Sequence, residues 1–125
     1  MIGLIIITHG NLAIELKSSL ENIIGPQKNL ETVCIGYDDD VDKRKEEVKD
    51  LITKVDSGEG VIMLTEMFGN TQSNLLISLI EENKIEMIGG INLPLLVKLG
   101  SLRENTNIQE AVSYTHLTLP TILLV

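Results

Sequence analysis

The chain has 125 residues, which suits one domain with a single packed core. Its formal net charge of −8 argues against a nucleic-acid partner, because phosphate backbones are bound by basic surfaces. Only 2% of the residues are aromatic, so a base-stacking platform is also disfavoured and aliphatic side chains must fill the core.

The cellular compartment can be predicted from cysteine usage and hydropathy. Cys34 is the only cysteine, so neither an internal disulfide nor a cysteine metal cluster can form. The N-terminus lacks the basic region of a signal peptide, and no apolar run is long enough to span a membrane. We therefore expect a cytoplasmic protein without membrane insertion. Its acidic surface could steer a basic protein partner, although solubility explains the charge more simply.

An isoleucine-rich apolar run opens the chain and ends at Thr8-His9-Gly10, which predicts a buried strand followed by a tight turn. A helical pattern begins at Asn11, a residue type that favours the N-cap position. Ligands bind at the carboxyl edge of open α/β sheets, and the free N–H groups of a helix N-terminus favour anions. We therefore predict phosphoryl chemistry on His9.

Strands and helices then alternate along the chain. The first helix is predicted to end at Gly25-Pro26, and Gly100 is predicted to break or bend a later one. The acidic run Asp38–Asp40 fits a loop with a helix cap better than a calcium loop, which needs more widely spaced ligands. Helical spacing places five side chains on the buried face of the first helix: Leu12, Leu16, Leu20, Ile23 and Ile24. The remaining predicted strands are 30–35, 61–65 and 85–88. Helices are predicted at 41–55, at 95–99 and at 108–111, the last with Asn107 as its cap. A further helix is predicted to follow the 66–74 loop and to run to about residue 83.

Short, nearly all-apolar strands that alternate with helices predict an α/β fold with a parallel sheet covered on both faces. We expect a small doubly wound sheet of four strands in the order 2-1-3-4, which places the switch point between strands one and three. Glu66 directly follows strand three. His9 and Glu66 should therefore meet, a pairing that follows from topology alone.

The chemistry predicted for this site needs no metal and no cofactor. A nucleophilic imidazole requires one free nitrogen, while the other donates to an acceptor, here the Glu66 carboxylate. The phosphoryl oxygens are predicted to bind at Gly10, Asn11, Asn70 and Thr71. A lone histidine or loop carboxylate is more often structural, so the prediction depends on both occurring at the switch point. The sequence contains no P-loop and no dinucleotide fingerprint.

The last residues differ from the rest of the chain. From Val112 the sequence lacks both the helical period and the charge density of what precedes it, and it resembles a translated adapter from a sequencing library. We therefore divide the chain into a domain at 1–111 and an atypical tail at 112–125, which we interpret as non-native. Residues 122–125 could still add an antiparallel edge strand through β-propensity.

Several motifs together resemble a known family. They are Thr8-His9-Gly10, the run from Gly25 to Asn29, the run from Leu64 to Asn74, and the run from Gly90 to Leu96. In this order, over about residues 1–111, they resemble the IIA component of the mannose-type sugar phosphotransferase system. Each motif is weak alone, and the combination is specific.

This resemblance implies a phosphorelay. The histidine phosphocarrier protein would phosphorylate Nε2 of His9, and the group would pass to a IIB component. The family carboxylate that orients the other ring nitrogen is usually aspartate, whereas this chain has Glu66, one methylene longer. Family members are dimers that exchange a C-terminal edge strand, so a homodimer is expected. Phe68, Asn92 and Pro94 are the residues predicted to contact partner proteins.

Two other functions remain open at this stage. One is the phosphotransferase subunit of dihydroxyacetone kinase, which shares the fold and an N-terminal histidine. The other is a regulatory module whose phosphorylation state is sensed by a partner. A histidine phosphatase is disfavoured, because those enzymes need an arginine just before the histidine, where this chain has Thr8.

Overall fold

A computed structural model describes residues 1–36, 38–66 and 76–113. Four strands form one all-parallel sheet in the order β2-β1-β3-β4, which confirms the predicted order. The strands are β1 (Gly3–His9), β2 (Leu30–Ile35), β3 (Val61–Thr65) and β4 (Ile85–Ile88). The helices are α1 (Leu12–Ile24), α2 (Val41–Val55) and α3 (Leu93–Leu102), followed by a helical segment at 108–113. The predicted edge strand at 122–125 and the tail from residue 114 lie outside the described residues.

Strand β1 is the centre of the sheet and separates two hydrophobic cores. Its side chains alternate, so that Leu4 and Ile6 pack on one face with α1 and α3, while Ile5 and Ile7 pack on the other with α2. Both faces of the sheet are therefore covered, as predicted for a doubly wound fold. None of the helices within the described ranges is long and apolar enough to cross a membrane.

The ends of α2 agree with the prediction from the sequence. The Asp40 carboxylate accepts hydrogen bonds from the backbone N–H groups of Asp42 and Lys43, so it caps the helix. This contact confirms the cap interpretation of the acidic run. Asn107 likewise caps the last helical segment, because its side-chain oxygen accepts from the Glu110 N–H at 2.8 Å.

The prediction for the buried face of α1 was wrong at two positions. Ala13 and Leu20 are fully buried, whereas Leu12 is 42% exposed and Ile23 is 56% exposed. The helix is rotated so that the small Ala13 side chain faces the sheet, which lets the helix backbone approach closely. Helical spacing alone could not show which of two adjacent apolar sides of α1 faces the core, the one with Ala13 and Leu20 or the one with Leu12 and Ile23.

The helix predicted to run to about residue 83 ends much earlier. In the described part of this segment only residues 76–77 are helical. The chain then tightens, since the N–H groups of Leu79 and Ile80 donate to carbonyls three residues back. Asn83 adopts a left-handed φ of 62°, and the Ile85 N–H donates to the Glu81 carbonyl. This turn, which suits asparagine, leads the chain into β4.

Helix α3 is longer than predicted and continues through Gly100. The Asn92 side chain accepts from the Leu95 N–H at 2.9 Å and thus caps the helix, with Pro94 in its first turn. A Cβ on Gly100 would lie 2.6 Å from Cδ1 of Ile24. Glycine is therefore present for close contact between α3 and α1, and the predicted break does not occur.

Arg103 follows α3 and is buried at the opposite end of the sheet from His9. Its Nη1 donates to the carbonyls of Ile2, at 3.2 Å, and Asn29, at 3.1 Å. Its Nη2 donates to the Gln27 side chain at 3.0 Å and to the Lys28 carbonyl. Burial lowers the pKa of the Arg103 guanidinium. One side chain thus joins the start of β1 to the segment before β2.

We predict opposite outcomes for two glycine-to-alanine substitutions. A Cβ on Gly3 would lie 2.6 Å from the Val55 carbonyl oxygen, which is backbone and cannot rotate away. Gly3→Ala should therefore lower the free energy of unfolding by about 1–3 kcal/mol. Gly100→Ala meets only the end of the Ile24 side chain and gains about 1 kcal/mol of helix propensity, so it should be close to neutral. Urea unfolding of both variants tests this, and equal losses would contradict it.

Candidate functional site

The candidate site lies where β1 and β3 end side by side. His9 is the last residue of β1, and Glu66 is the first residue after β3. The two strands pair in parallel, with Ile7 opposite Thr65. This register carries both side chains to the same carboxyl edge of the sheet, at the switch point of the strand order.

The Glu66 carboxylate holds His9 through two contacts. Its Oε1 accepts a hydrogen bond from the His9 backbone N–H at 2.8 Å, and the same oxygen contacts Nδ1 of the ring. The predicted meeting of these two residues is thereby confirmed. Because a carboxylate accepts, the contact favours the tautomer in which Nδ1 carries the proton. The glutamate reaches both groups despite its additional methylene.

The remaining ring nitrogen is accessible. The His9 side chain is 48% exposed and that of Glu66 is 25% exposed. No described residue forms a hydrogen bond with Nε2 of His9. The ring is therefore oriented from one side while the other side faces outward, an arrangement suited to a nucleophile that must meet a large substrate.

Thr8 anchors the helix that begins next to the site. Its hydroxyl accepts a hydrogen bond from the Ala13 N–H at 2.7 Å, and Thr8 is buried. Asn11 occupies the predicted N-cap position, but its side chain makes no capping hydrogen bond. Sequence analysis missed Thr8 because a hydroxyl five residues before the N–H matches no standard capping motif.

The turn at Gly10 places backbone N–H groups near His9. Gly10 adopts φ 53°, which carries the chain from β1 into α1, and its N–H donates to the Ile35 carbonyl. The backbone N–H groups of Asn11 and Leu12 have no acceptor among the described residues. Of the predicted anion-binding positions in this turn, Asn11 thus offers a free N–H and Gly10 does not.

The other predicted site residues fall into two groups. Phe68, Asn70 and Thr71 lie outside the described residues. Asn92 is half-buried and caps α3, whereas Pro94 is exposed. The Ile91 N–H donates to the Thr65 carbonyl at 3.2 Å, which ties the β4–α3 connection to the end of β3. Asn92 and Pro94, which follow Ile91, therefore lie on the β4 side of the site.

The nearby β2–α2 loop carries carboxylates. Asp39 accepts from the Gly36 N–H at 2.6 Å and from Nε of Arg44 at 3.0 Å. These hydrogen bonds hold the pKa of the Asp39 carboxyl below its usual range. Within the described ranges, no group of three histidine, cysteine or acidic side chains could hold a metal ion.

A comparison with protein families identifies the chain. The model of the EIIA-man family, described as the PTS system fructose IIA component, matches residues 3–115. The chain belongs to the EIIA-man family. PTS EIIA components are phosphotransferase proteins, and the match confirms the resemblance to a mannose-type IIA component.

Individual relatives agree with this assignment. The IIA chain is 31% identical over 114 residues to the fructose-specific EIIA component of Bacillus subtilis, covering 90% of this chain and 78% of the relative. It is 26% identical to the mannose-specific EIIAB component of Escherichia coli over 83% of this chain, and spans 32% of that longer protein. The crystal structure of EIIA from Streptococcus agalactiae has the same fold, with a TM-score of 0.80 at 24% identity over 90% of this chain and 88% of that one.

We predict that the Thr8 hydroxyl stabilises the turn that presents His9. Thr8→Val keeps the shape of the side chain but leaves the Ala13 N–H buried without its acceptor. The free energy of unfolding should fall by about 1–2 kcal/mol. Thr8→Ser keeps the hydroxyl and should lose clearly less. Urea unfolding compares the two variants, and a Thr8→Val protein as stable as the unaltered chain would disprove this role.

Proposed function

We propose that this IIA component accepts a phosphoryl group on Nε2 of His9 from the histidine phosphocarrier protein and passes it to a IIB component in the cytoplasm. The observation that supports this most directly is the contact between Glu66 and Nδ1, with Nε2 left exposed. The free nitrogen of a neutral imidazole is a nucleophile, and its position at the sheet edge makes it reachable by another protein.

The transfer exchanges one nitrogen–phosphorus bond for another. The lone pair on Nε2 of His9 forms a bond to the phosphorus of the donor's phosphohistidine. The bond to the donor nitrogen breaks, and its electron pair returns to the donor imidazole. The proton on Nδ1 stays on the ring and remains hydrogen-bonded to Glu66. Delivery to the IIB component is the same exchange in the opposite sense, with His9 as the leaving group.

Charge stabilisation comes from both sides of the ring. Positive charge develops on the His9 imidazole as Nε2 bonds to phosphorus, and the adjacent Glu66 carboxylate stabilises it. The negative phosphoryl oxygens would lie near the free N–H groups of Asn11 and Leu12 at the positive end of the α1 dipole. Asn70 and Thr71 remain predicted ligands of these oxygens, and no metal ion is needed.

Three further predictions accompany this function. Phe68, Asn92 and Pro94 are proposed to contact protein partners. The functional domain is proposed to be 1–111, with a non-native tail at 112–125. A homodimer is proposed from the family resemblance.

The B. subtilis relative is named for fructose and the E. coli relative for mannose. We propose that the membrane components, and in part the IIB component, determine which sugar is transported.

The first experiment is direct phosphorylation. The purified chain incubated with phosphoenolpyruvate, enzyme I and the histidine phosphocarrier protein should acquire one acid-labile phosphate on His9, mapped by mass spectrometry. His9→Ala should acquire none, because the accepting nitrogen is absent. The control is a circular dichroism spectrum that shows a folded variant. Absence of label on the folded, unaltered chain would refute the proposal.

The role of Glu66 can be separated into charge and reach. Glu66→Gln removes the charge but keeps the length of the side chain, so transfer to His9 should slow by about 100-fold. Glu66→Asp keeps the charge but shortens the side chain, so it should lose one of the two contacts to His9 and slow transfer by about 10-fold. Single-turnover rates from the phosphorylated carrier test this order. A Glu66→Gln protein that reacts at the unaltered rate would exclude electrostatic support by Glu66.

A further inference from the structure

One buried side chain at the edge of the candidate site has a polar atom without a partner. Thr65 is the last residue of β3 and is only 4% exposed. Its hydroxyl oxygen forms no hydrogen bond with any residue in the described ranges. Buried hydroxyl groups are nearly always paired, because an unpaired one loses its hydrogen bonds to water without replacement. Thr8, the buried threonine of the neighbouring strand, is paired with the Ala13 N–H, so the two threonines differ.

The sheet places Thr65 on the same face as His9. Thr65 pairs with Ile7 across the two strands, and paired residues project from the same face of a sheet. Ile7 packs on the face covered by α2, and because side chains alternate along β1, His9 leaves the strand on that face too. Two steps along a strand and one step between strands give about 8 Å between the Cα atoms of Thr65 and His9. The buried Thr65 hydroxyl therefore lies on the core side of the histidine.

The carboxylate that follows Thr65 uses one of its two oxygens for His9. Oε1 of Glu66 accepts from the His9 backbone N–H and contacts Nδ1, whereas Oε2 has no hydrogen-bond partner among the described residues. An ionised carboxylate can accept about four hydrogen bonds, and each donor stabilises its charged form. Oε2 of Glu66 and the hydroxyl of Thr65 are thus two groups on adjacent residues, and each is without a partner in the described part of the chain.

We propose that Thr65 is a positioning residue for the reaction of His9, an inference that rests on the proposed function. No direct hydrogen bond joins the Thr65 hydroxyl to Glu66, and polar groups more than about 3.5 Å apart are commonly joined by a water molecule. The hydroxyl donates to one bridging water molecule, and that water donates to Oε2 of Glu66. The bridge keeps the carboxylate ionised and directed at Nδ1 of His9.

The bridge acts when positive charge develops on the imidazole. At that stage the proton on Nδ1 becomes more acidic, and it lies between the ring and Glu66. If Glu66 took this proton, the ion pair that stabilises the charge would be lost. A donor to Oε2 lowers the proton affinity of Glu66, so the proton stays on Nδ1. Thr65 thus acts on His9 through Glu66, without touching the phosphoryl group.

Two substitutions separate the hydroxyl of Thr65 from the shape of its side chain. Thr65→Val keeps the branched shape without the hydroxyl, so it should unfold at about the same urea concentration as the unaltered chain. Thr65→Ser keeps the hydroxyl but loses a buried methyl group, so it should unfold at a lower urea concentration. The rates of phosphoryl transfer should have the opposite order. Thr65→Val should be about 10-fold slower, as for the loss of one hydrogen bond to a charged group, and Thr65→Ser should recover most of the rate.

Single-turnover rates are measured with two phosphoryl donors, the phosphorylated carrier protein and phosphoramidate. With phosphoramidate, Nε2 of His9 displaces ammonia from phosphorus, so that reaction needs no protein docking. Thr65→Val should slow both reactions by a similar factor, because its defect lies at the contact between His9 and Glu66.

Two structural measurements accompany the rates. In the phosphorylated Thr65→Val protein, the nitrogen NMR signal of Nδ1 should move toward that of an unprotonated nitrogen, because Glu66 then takes a larger share of the proton. A crystal structure of the unaltered chain should show a water molecule within hydrogen-bond distance of both the Thr65 hydroxyl and Oε2 of Glu66.

The outcomes separate this inference from the proposed function. If the unaltered chain is labelled by neither donor, the proposed function fails. If it is labelled and Thr65→Val reacts at the unaltered rate, His9 is the acceptor but the Thr65 hydroxyl has no part in the reaction. Rates that follow the stabilities of the two variants would show that Thr65 only packs, and a crystal structure in which its hydroxyl binds another group would exclude the bridge. Each of these last three results overturns this inference alone.

Discussion

The structure depends on the double pairing of β1. This strand lies between β2 and β3 and is buried on both faces, so its position is fixed by hydrogen bonds at both edges and by two cores. The register that sets Ile7 opposite Thr65 also sets how far His9 extends beyond the neighbouring strand. A shift of one residue would turn Ile5 and Ile6 to the wrong cores, and it would separate His9 from Glu66.

Because side chains alternate along β1, the consecutive residues Thr8 and His9 make different contacts. Thr8 faces α1 and accepts from the Ala13 N–H, while the next residue, His9, meets Glu66 after β3. The same carboxylate oxygen binds the backbone and the ring of His9, so the ring is oriented relative to the strand end itself. The start of α1, the end of β1 and the His9 imidazole are thus held together by contacts within a few residues. Such rigidity suits a site that must remain ordered while partner proteins bind and dissociate.

Much of this arrangement could be predicted from the sequence because it follows from strong patterns. Apolar strands and their connections predicted the sheet order, and the sheet order predicted that His9 and Glu66 would meet. The buried side of α1 could not be chosen, since Leu12 and Ile23 have the same spacing as the side chains that are buried. The helix before β4 ends at residue 77, where the N–H groups of Leu79 and Ile80 donate to carbonyls three residues back, and a helical hydrophobic pattern does not encode this change.

Arg103 has a consequence for the order in which the chain can fold during synthesis. The guanidinium binds the Ile2 carbonyl, 101 positions earlier. At roughly 10 residues per second, the ribosome needs on the order of 10 s to add the intervening residues. The isoleucine-rich N-terminal strand is therefore synthesised well before Arg103 can bind it. During that interval it is an apolar segment of high β-propensity, the kind of sequence that chaperones shield from aggregation.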